Sequence, residues 1–320
     1  MTKVSVLVPF VPHRAEHIVP YAAYVQWGPA HRLWQGQGTL IDPHQSFTFA
    51  AASGFRVPVG IGVTLMPFRH PYDAVVQARS LAAVTGNSVV AGYGPGAAVF
   101  QQGLMDAPYK SQLTAVREYV SIMRGLLHND SLTLEGDYFH VRTGLHPLPT
   151  PPIEIGLGVL RPGMARVAGA LADAAITWLT PVKYLREVLM PALEEGAVGA
   201  DRPTPRVVAM IPAALDRPDR DPARLALASN QGHLRLPHYQ DMLRKAGIET
   251  DPAELKAGAK ALVEGQAFLY GTVDEVAKQV RSYWDAGVDE VVLNLTGVYF
   301  THGPKTALTE LDEIVRGVAQ

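Results

Sequence analysis

The 320-residue sequence has no cysteine, and this absence excludes several kinds of site at once. A chain without thiols has no disulfide framework, no Cys-ligated zinc or iron–sulfur centre and no thiol nucleophile. Charge is also scarce, because 28 basic and 30 acidic residues leave a formal net charge of −2 and only 18% of residues are charged. That balance provides no basic field, so we expect no nucleic-acid partner.

Long apolar runs are missing as well. No stretch of about 18 apolar residues occurs, so nothing is expected to cross a membrane. The first residues lack a continuous apolar core and a small-residue cleavage site, so no signal peptide is predicted and a cytoplasmic location is the expectation. Hydrophobic residues nevertheless make up 48% of the chain, a proportion typical of a packed globular protein.

Short β-branched segments alternate with longer helical segments, which is the pattern of βα units around a parallel sheet. The helix predicted over Pro71–Thr85 stops at Gly86, and Thr272 opens another with the spacing of a capping box to Glu275. Eight strands are predicted, at Val4–Pro9, Arg32–Trp34, Val57–Leu65, Ser88–Gly92, Ile153–Leu157, Ala174–Leu179, Arg206–Ala214 and Glu290–Leu295. We therefore predict the α/β class and a single domain over residues 1–320, a (β/α)₈ TIM barrel with insertions at 128–152 and 216–270.

In a barrel of this kind the site lies at the carboxyl ends of the strands. The segments that follow the predicted strands are rich in Gly, Trp, Gln, Thr and Tyr and contain almost no acids. This composition argues against a glycosidase with paired carboxylates, and the G-x-S-x-G elbow of serine hydrolases is missing. His13 and His17 lack a carboxylate-rich partner set, so we expect no metal. A planar cofactor that brings its own chemistry suits such a site better.

Two glycine-containing segments are the strongest candidates for binding. VVAGYGPG places Gly92, Gly94 and Gly96 directly after a strand, where they either permit close approach of a ligand or make a tight turn. IGLGVLRPG leads from the fifth strand into a helix that begins near Pro162, with Arg161 beside the free N–H groups of the first turn. The second segment is either a phosphate site or an ordinary strand-to-helix turn with a solvated arginine.

Polar side chains also follow the third strand. Thr64, Arg69 and His70 stand where the barrel mouth is expected. His70 precedes Pro71 at a helix start, where a structural role fits as well as a catalytic one. A histidine without a partner carboxylate in view is a poor general base.

Five segments, taken in order, resemble the bacterial luciferase-like family of flavin- and deazaflavin-dependent oxidoreductases over nearly the whole chain. They are RLWQGQ, VPVGIGVTLMPFRHP, VVAGYGPG, IGLGVLRPGMARVAGALADAAITWLTP and GTVDEVAKQVRSYWDAGVDEVVLNLTG. The LRPGM-type turn is similar to that of the methylenetetrahydromethanopterin reductase-like branch, which uses the deazaflavin coenzyme F420. The resemblance implies a (β/α)₈ barrel that binds F420 in its mouth, with FMN as the alternative cofactor.

The resemblance also implies a set of site residues. In the deazaflavin-dependent branch the third strand ends in a bulge with a non-proline cis peptide bond, which here falls at Gly62–Val63. The phosphate contacts of the family correspond to the turn after strand five, and the glycine turn after strand four borders the ring or tail of the cofactor. The implied cofactor-binding residues are Gln35, Gly62, Val63, Thr64, Gly92, Tyr93, Gly94, Gly96, Gly158, Val159, Leu160, Arg161 and Trp178.

This sequence departs from the family where protons are usually moved. Many members end strand two with an Asp-His pair, whereas the matching positions here are Gln37 and Gly38. Some members place a Glu after the strand-four glycines, where this chain has Ala97. The candidates for catalytic replacements are therefore Gln37, His70 and Tyr93, with Gln35 as a further one.

The expected function is an F420H2-dependent oxidoreductase that transfers a hydride between the deazaflavin and an activated C=C or C=N bond. A small-molecule or peptide substrate is expected, with dehydroalanine in a modified peptide from natural-product biosynthesis as one candidate. Two alternatives stay open: an FMN-dependent two-component monooxygenase and a non-catalytic flavin-binding subunit. The family further implies a homodimer and, as a partner, a separate reductase for F420 or flavin.

Overall fold

The computed structural model describes residues 2–128 and 131–319 of the chain. Within these residues eleven strands form, numbered in chain order: β1 Lys3–Leu7, β2 Leu33–Gln35, β3 Val59–Leu65, β4 Val89–Gly94, β5 Leu132–Glu135, β6 His140–Thr143, β7 Ile153–Gly158, β8 Ala174–Trp178, β9 Arg206–Leu215, β10 Leu269–Gly271 and β11 Glu290–Asn294.

A closed barrel of eight parallel strands stands at the centre. Around the barrel the strands follow the order β1, β2, β3, β4, β7, β8, β9 and β11, and the pairing of β11 with β1 closes the ring. This ring has the same sequence of strands as the predicted (β/α)₈ barrel, which is thereby confirmed.

Helices follow the barrel strands and pack on their outer face. In the described residues they are α1 Val19–Trp27, α2 Pro43–Ala52, α3 Pro71–Thr85, α4 Ala98–Leu104, α5 Gln112–His128, α6 Pro162–Leu171, α7 Val182–Tyr184, α8 Met190–Gly199, α9 Pro222–Leu234, α10 Pro237–Lys245, α11 Leu255–Glu264, α12 Val273–Asp285 and α13 Thr296–Ala319. Short 3₁₀ turns, Ala15–Ile18 and Met66–Phe68, follow β1 and β3, and a π-helical segment, Leu185–Leu189, joins α7 to α8. None of the helices in residues 2–128 and 131–319 is long and apolar enough to span a membrane.

Local signals set the helix ends. α3 has the predicted bounds, and Gly86 ends it in the left-handed region with a φ of 65°. α12 opens with the predicted capping box, in which Thr272 Oγ1 accepts from the Glu275 N–H and the Glu275 carboxylate accepts from the Thr272 N–H. α5 begins at Gln112, after a loop in which the Tyr109 N–H donates to Gln101 Oε1 at 3.0 Å.

Both predicted insertions lie outside the ring of strands. The first carries the antiparallel hairpin β5–β6, and its residues 129 and 130 lie outside the described part of the chain. The second contains α9, α10 and α11 and also β10, which is not among the eight predicted strands. β10 has only three residues and pairs with the last residues of β9, so neither its length nor an alternation marks it in the sequence.

Side chains inside the barrel form a core separate from the one between barrel and helices. The inner core consists of Leu7, Trp34, Val90, Ala174, Ile176, Val208, Met210 and Val292. At the amino-terminal end of the strands, the buried carboxylate of Glu290 accepts hydrogen bonds from Ser5 Oγ at 2.6 Å and Trp34 Nε1 at 2.7 Å. This packing closes the amino-terminal end of the barrel, so a ligand is expected at the carboxyl-terminal mouth.

Candidate active site

The barrel mouth has a glycine-lined floor on the side of β3, β4 and β7. Gly92 and Gly94 on β4 and Gly158 on β7 occupy inward-facing positions there. A Cβ atom added at these three glycines would lie 3.2, 3.1 and 3.5 Å, respectively, from a methyl group of Val63 on β3. The side chain of Val63 therefore stands beside three positions without side chains. A Cβ atom at Gly92 would also lie 2.2 Å from the Ile61 carbonyl oxygen and 2.5 Å from Ile176 Cδ1, so packing inside the barrel requires that glycine. At Gly158 the nearest atom is the Val63 methyl group, and this leaves the backbone open to a flat group.

The floor rests on an irregularity in β3. The pairing of β3 with β4 shifts register between Ile61 and Thr64, and the Gly62–Val63 peptide bond is cis. A Cβ atom at Gly62 would lie 2.0 Å from Met210 Cε inside the barrel. A side chain at this position would therefore require the Met210 side chain to move.

The turn from β7 into α6 presents main-chain donors next to the floor. Arg161 is the N-cap residue of α6, and Pro162 begins the helix. The Val159 N–H donates to the Ile176 carbonyl at 2.8 Å, whereas the N–H groups of Leu160 and Arg161 have no acceptor within the described residues. Together with the positive end of the α6 dipole and the exposed Arg161 side chain, these groups suit an anionic ligand.

Aromatic side chains of the second insertion cover the β8 side of the mouth. The Trp178 ring at the end of β8 stacks on the His233 ring of α9, with centroids 5.1 Å apart and planes inclined by 30°. Tyr239 of α10 meets the His233 ring edge-on at 4.8 Å. Burial lowers the pKa of His233 to about 4, so the ring is neutral at neutral pH.

A polar pair stands beside the β3 irregularity. Thr64 Oγ1 donates to Gln37 Oε1 at 2.7 Å, and Gln37 Nε2 donates to the Gly38 carbonyl at 2.8 Å. The Gln37 N–H also approaches the Val63 carbonyl at 3.4 Å. The fold thus brings Gln37 and Thr64 to the edge of the floor beside Val63.

A charged cluster lies in the loop after β2. The Asp42 carboxylate accepts hydrogen bonds from the His44 N–H at 2.9 Å, from His44 Nδ1 at 2.7 Å and from Arg69 Nη2 at 2.6 Å. Burial alone would raise the pKa of Asp42, but its contacts with His44 and Arg69 hold that pKa well below its usual range. Asp42 is therefore an anion tied to two partners rather than an acid available to a substrate.

A model of the luciferase-like monooxygenase family matches residues 3–290 of the chain. The chain belongs to this family. The predicted luciferase-like oxidoreductase is thereby confirmed at the level of the family.

Curated relatives of this luciferase-like protein are named for the deazaflavin cofactor. The F420-dependent glucose-6-phosphate dehydrogenase of Rhodococcus erythropolis is 30% identical over 255 residues, which cover 76% of this chain and 74% of the relative. The enzyme of the same name from Mycobacterium tuberculosis is 27% identical over 253 residues, with the same two coverages of 76% and 74%.

Solved structures show the same fold at lower identity. The coenzyme F420 dependent tetrahydromethanopterin reductase of Methanopyrus kandleri superposes with a TM-score of 0.73 at 21% identity, covering 99% of this chain and 96% of its own. The FMN complex of the oxygenating constituent of 3,6-diketocamphane monooxygenase from Pseudomonas putida gives a TM-score of 0.76 at 16% identity, with coverages of 100% and 98%.

Most of the residues that the family resemblance assigned to the cofactor come together in the luciferase-like barrel. The cis bond at Gly62–Val63 stands where it was expected. The floor joins Val63 to glycines of β4 and β7, and Thr64 and the turn to Arg161 flank it. Trp178 faces the same mouth from β8, and Gly96 lies just beyond β4 with a φ of 76°, which favours glycine. Their roles in binding remain proposals.

One of the proposed catalytic side chains does not reach the mouth, and another has a structural role at a helix start. Tyr93 alternates with the inward-facing Gly92 and Gly94, so its ring lies in the layer between barrel and helices. There it is fully buried, and its hydroxyl donates to the Ala74 carbonyl of α3 at 3.2 Å. His70 is the N-cap residue of α3, because its Nδ1 accepts from the Tyr72 N–H. This geometry does not support a proton-donating role of the Tyr93 side chain, although the Tyr93 backbone still borders the floor. The role of His70 stays a prediction, because the hydrogen bond engages only Nδ1 of its exposed ring.

Gln35 is placed differently from expectation as well. Its neighbour on β2, Trp34, fills the barrel interior, so alternation turns the Gln35 side chain toward the helices. The amide is buried, and neither its Nε2 nor its Oε1 has a partner in the part of the chain that the structure describes. At this position a cofactor could therefore contact the Gln35 main chain but not its side chain.

Several polar residues at the mouth were not found from the sequence. Asp42 and His44 carry a recognisable signal, since Asp followed by Pro marks the start of α2. Their partner Arg69 comes from another βα loop, which no local pattern connects to them. His233 and Asn294 carry no local signal, because the first is an ordinary helix residue and the second ends a buried strand.

Proposed function

We propose that this luciferase-like protein is an F420-dependent oxidoreductase that transfers a hydride between the deazaflavin and an activated C=C or C=N bond. The observation that carries the proposal is the glycine-lined floor beside Val63, next to the start of α6. A flat ring fits against such a floor, and an anionic tail suits the neighbouring helix N-terminus. The names of the curated relatives support the choice of F420 over FMN.

The residues at the mouth fit the cofactor in two parts. Gly94 and Gly158 would admit the ring against Val63, and the N–H groups and side chain at Arg161 would hold the tail. When bound, reduced F420 supplies a hydride from its deazaflavin ring. The protein then contributes position, orientation and exclusion of water around the reacting atoms.

Gln37 is the candidate for orienting the substrate. Its amide lies at the edge of the floor and accepts a hydrogen bond from Thr64. An amide does not titrate near neutral pH, so Gln37 would position the substrate or a proton-carrying water rather than supply the proton itself. Asp42 stays bound to His44 and Arg69 in this proposal.

The rim of the mouth favours an uncharged substrate. Four large apolar side chains in the segments after β1, β2, β4 and β11 are between 45% and 75% exposed: Val11, Leu40, Val99 and Phe300. The neutral stack of His233 on Trp178 lies inside this rim. A sugar phosphate would need a further cationic contact, whereas a modified peptide or polyketide could pack on this rim. Dehydroalanine in a natural-product peptide is the candidate we propose to test.

Titration of the purified protein with F420, and separately with FMN, tests the cofactor by the change in cofactor fluorescence. Micromolar or tighter binding of F420 with weaker binding of FMN is the expected result. A preference for FMN would point to a monooxygenase with a reductase partner. Binding of neither would leave a non-catalytic subunit, and the proposal would be wrong.

The tail site is tested by Arg161→Ala with Arg166→Ala as its matched control. Arg166 is also an exposed arginine of α6, but it pairs with Glu195 away from the helix start. Loss of a charge-assisted hydrogen bond weakens binding by about 1.5–3 kcal/mol, or about 10- to 100-fold in Kd. We expect this loss for Arg161→Ala only, and equal affinities of the two variants would remove Arg161 from the site.

The substrate is tested by incubating the protein and reduced F420 with a peptide that contains dehydroalanine. Mass spectrometry should detect the gain of two hydrogens, and an unchanged mass would remove this substrate class. Sedimentation of the same preparation tests the proposed homodimer. The proposed separate reductase is tested by supplying only oxidised F420, because peptide reduction should then require a reductase that regenerates the reduced cofactor.

A further inference from the structure

Two buried hydrogen-bond donors face the barrel mouth without an acceptor. They are Nε1 of Trp178 and Nδ2 of Asn294, and neither has a partner among residues 2–128 and 131–319. A buried donor left without an acceptor costs about 1–3 kcal/mol. In a cofactor and substrate site, such a cost is offset when the ligand supplies the acceptor.

The Asn294 amide is held in a single orientation. Its Oδ1 accepts from the Thr296 N–H at 2.9 Å and from Thr296 Oγ1 at 2.6 Å, so the oxygen is occupied and the NH₂ group points elsewhere. Val292, two residues earlier on β11, fills the barrel interior. Because side chains alternate along a strand, Asn294 also faces inward, one layer closer to the mouth.

Trp178 occupies the corresponding layer on β8. Ile176, two residues earlier, belongs to the inner core, and the Trp178 ring packs against that core from the mouth side. The stack on His233 fixes the plane of the indole. β8 and β11 both pair with β9, so the two donors stand on either side of one strand.

We propose that Trp178 and Asn294 donate hydrogen bonds to the carbonyl oxygen of an α,β-unsaturated carbonyl substrate. The inference rests on the proposed function and narrows its substrate class to alkenes conjugated to a carbonyl group. Dehydroalanine residues belong to this class, because their C=C bond is conjugated to the carbonyl of the following peptide bond.

The movement of electrons during reduction of the alkene shows which atom these two donors would stabilise. The β carbon of the alkene receives a hydride from reduced F420, and the C=C π pair shifts so that negative charge develops on the carbonyl oxygen. The α carbon then takes a proton from solvent, which leaves the saturated product and oxidised F420. Donors already aimed at the oxygen stabilise the enolate formed between these steps.

The test compares Trp178→Phe and Asn294→Asp with the wild type. Trp178→Phe removes the donor and keeps an aromatic ring against His233. Asn294→Asp keeps an oxygen for Thr296 and replaces the donor by an acceptor, and Asn294→Ala repeats the loss without added charge. Trp284→Phe is the matched control, because Trp284 is also half-buried with an unpartnered Nε1 in the described residues but lies on α12 outside the barrel.

Three measurements separate the outcomes: the F420 Kd, the rate of alkene reduction, and the carbonyl stretch of a bound N-acyl dehydroalanine amide labelled with ¹³C. The stretch is recorded by difference Raman spectroscopy with oxidised cofactor, so it needs no turnover. We expect a shift to lower wavenumber in the wild type that each site variant reduces. We also expect about 10²-fold slower reduction in each site variant, with the F420 Kd of the Asn294 variants within twofold of wild type.

Three results would overturn this assignment. The first is an unshifted carbonyl stretch in the wild type, and the second is wild-type reduction rates in all three site variants. The third is a rate loss that Trp284→Phe reproduces. Failure of the wild type to bind F420 would refute the proposed function instead, and a weaker F420 Kd confined to the site variants would assign the donors to the cofactor.

Discussion

At the scale of single residues, the inward-facing glycines of this luciferase-like barrel are of two kinds. Some are demanded by the packing of the protein itself: a Cβ at Gly156 would lie 2.7 Å from Ile176 Cδ1 and 3.1 Å from Gly92 Cα. Others leave room that the protein does not use, since a Cβ at Gly158 would meet its nearest neighbour at an ordinary 3.5 Å. Space of the second kind is what a bound ring requires.

The pair Gly156→Ala and Gly158→Ala turns this difference into a measurement. We expect Gly156→Ala to lower the free energy of unfolding by about 1–3 kcal/mol through overpacking. Gly158→Ala should stay within about 0.5 kcal/mol of wild type but weaken F420 binding, because its methyl group enters the space assigned to the ring. Urea unfolding and fluorescence titration give the two quantities, and unchanged F420 affinity of Gly158→Ala would place the ring elsewhere.

His233 makes stability depend on pH in a known direction. Burial lowers its pKa from 6.5 to about 4, so the unfolded chain takes up its proton at a higher pH than the folded protein. Its contribution to stability is therefore complete above about pH 6.5 and is lost as the pH falls toward 4. His31, also held near a pKa of about 4 by burial, adds to the same slope.

Replacement of His233 by Phe keeps a ring against Trp178 and removes the titration. Urea unfolding between pH 7 and pH 4 should then show a shallower loss of stability than in the wild type, with the remainder due in part to His31. The exposed Gln102, replaced by Ala, serves as the control, because neither side chain titrates, and should leave the slope unchanged. A slope equal to wild type in His233→Phe would contradict the burial of this ring.

At the scale of elements, start signals decide where helices begin, and packing decides what they cover. α12 carries its own start signal in the Thr272 and Glu275 capping box. α6 has no side-chain cap among the described residues, and its first N–H groups stay free beside the floor. A helix start that is left uncapped in this way is open to an anionic ligand.

The capping box of α12 can be tested in isolation from the site. Thr272→Ala should lower the free energy of unfolding by about 1 kcal/mol, because the Glu275 N–H loses its acceptor. Lys278→Ala, an exposed position in the middle of the same helix, should change it by less than about 0.5 kcal/mol. Chemical denaturation compares the two, and equal effects would mean that the cap contributes nothing.

At the scale of the whole molecule, the barrel is closed at one end by a buried charge and left open at the other. Glu290 accepts from Ser5 and Trp34, and Arg32 and Arg206 lie within ion-pair distance at 3.6 and 3.3 Å. These partners come from β1, β2, the loop before β2 and β9, so one carboxylate ties together four parts of the ring. The amino-terminal end therefore serves stability, and the mouth is left for chemistry.

Glu290→Gln should destabilise the whole barrel by about 3–5 kcal/mol, because the guanidinium of Arg32 would stay buried without its counter-ion. Glu313→Gln breaks the half-exposed pair with Arg217 and should cost at most about 1 kcal/mol. Denaturant unfolding at neutral pH checks both values. A loss below 1 kcal/mol for Glu290→Gln would show that the buried carboxylate does not hold the ring together.

The sequence by itself determined the repeating elements and the family. Each βα unit has local causes: β-branched runs for the strands, Gly86 and the Thr272 box for helix ends, and short alternating segments for the β5–β6 hairpin. The glycines of β4 and the LRPGM turn each lie within one continuous segment of sequence. Because the strands that carry them are neighbours in the predicted barrel, the sequence also predicted that the two segments lie side by side. These features depend on neighbours in the chain and are therefore visible in it.

Only the tertiary structure decided which side chains face the mouth. The barrel strands are buried on both faces, so a run such as VPVGIGVTL shows no alternation that would tell inside from outside. For that reason Tyr93 was expected at the site, although its ring packs on the helices, and Asn294 was passed over. The contact between Asp42 and Arg69, and the shared layer of Trp178 and Asn294, join residues from separate strands and loops. Such contacts form only when the ring of strands closes, and no local sequence pattern encodes that closure.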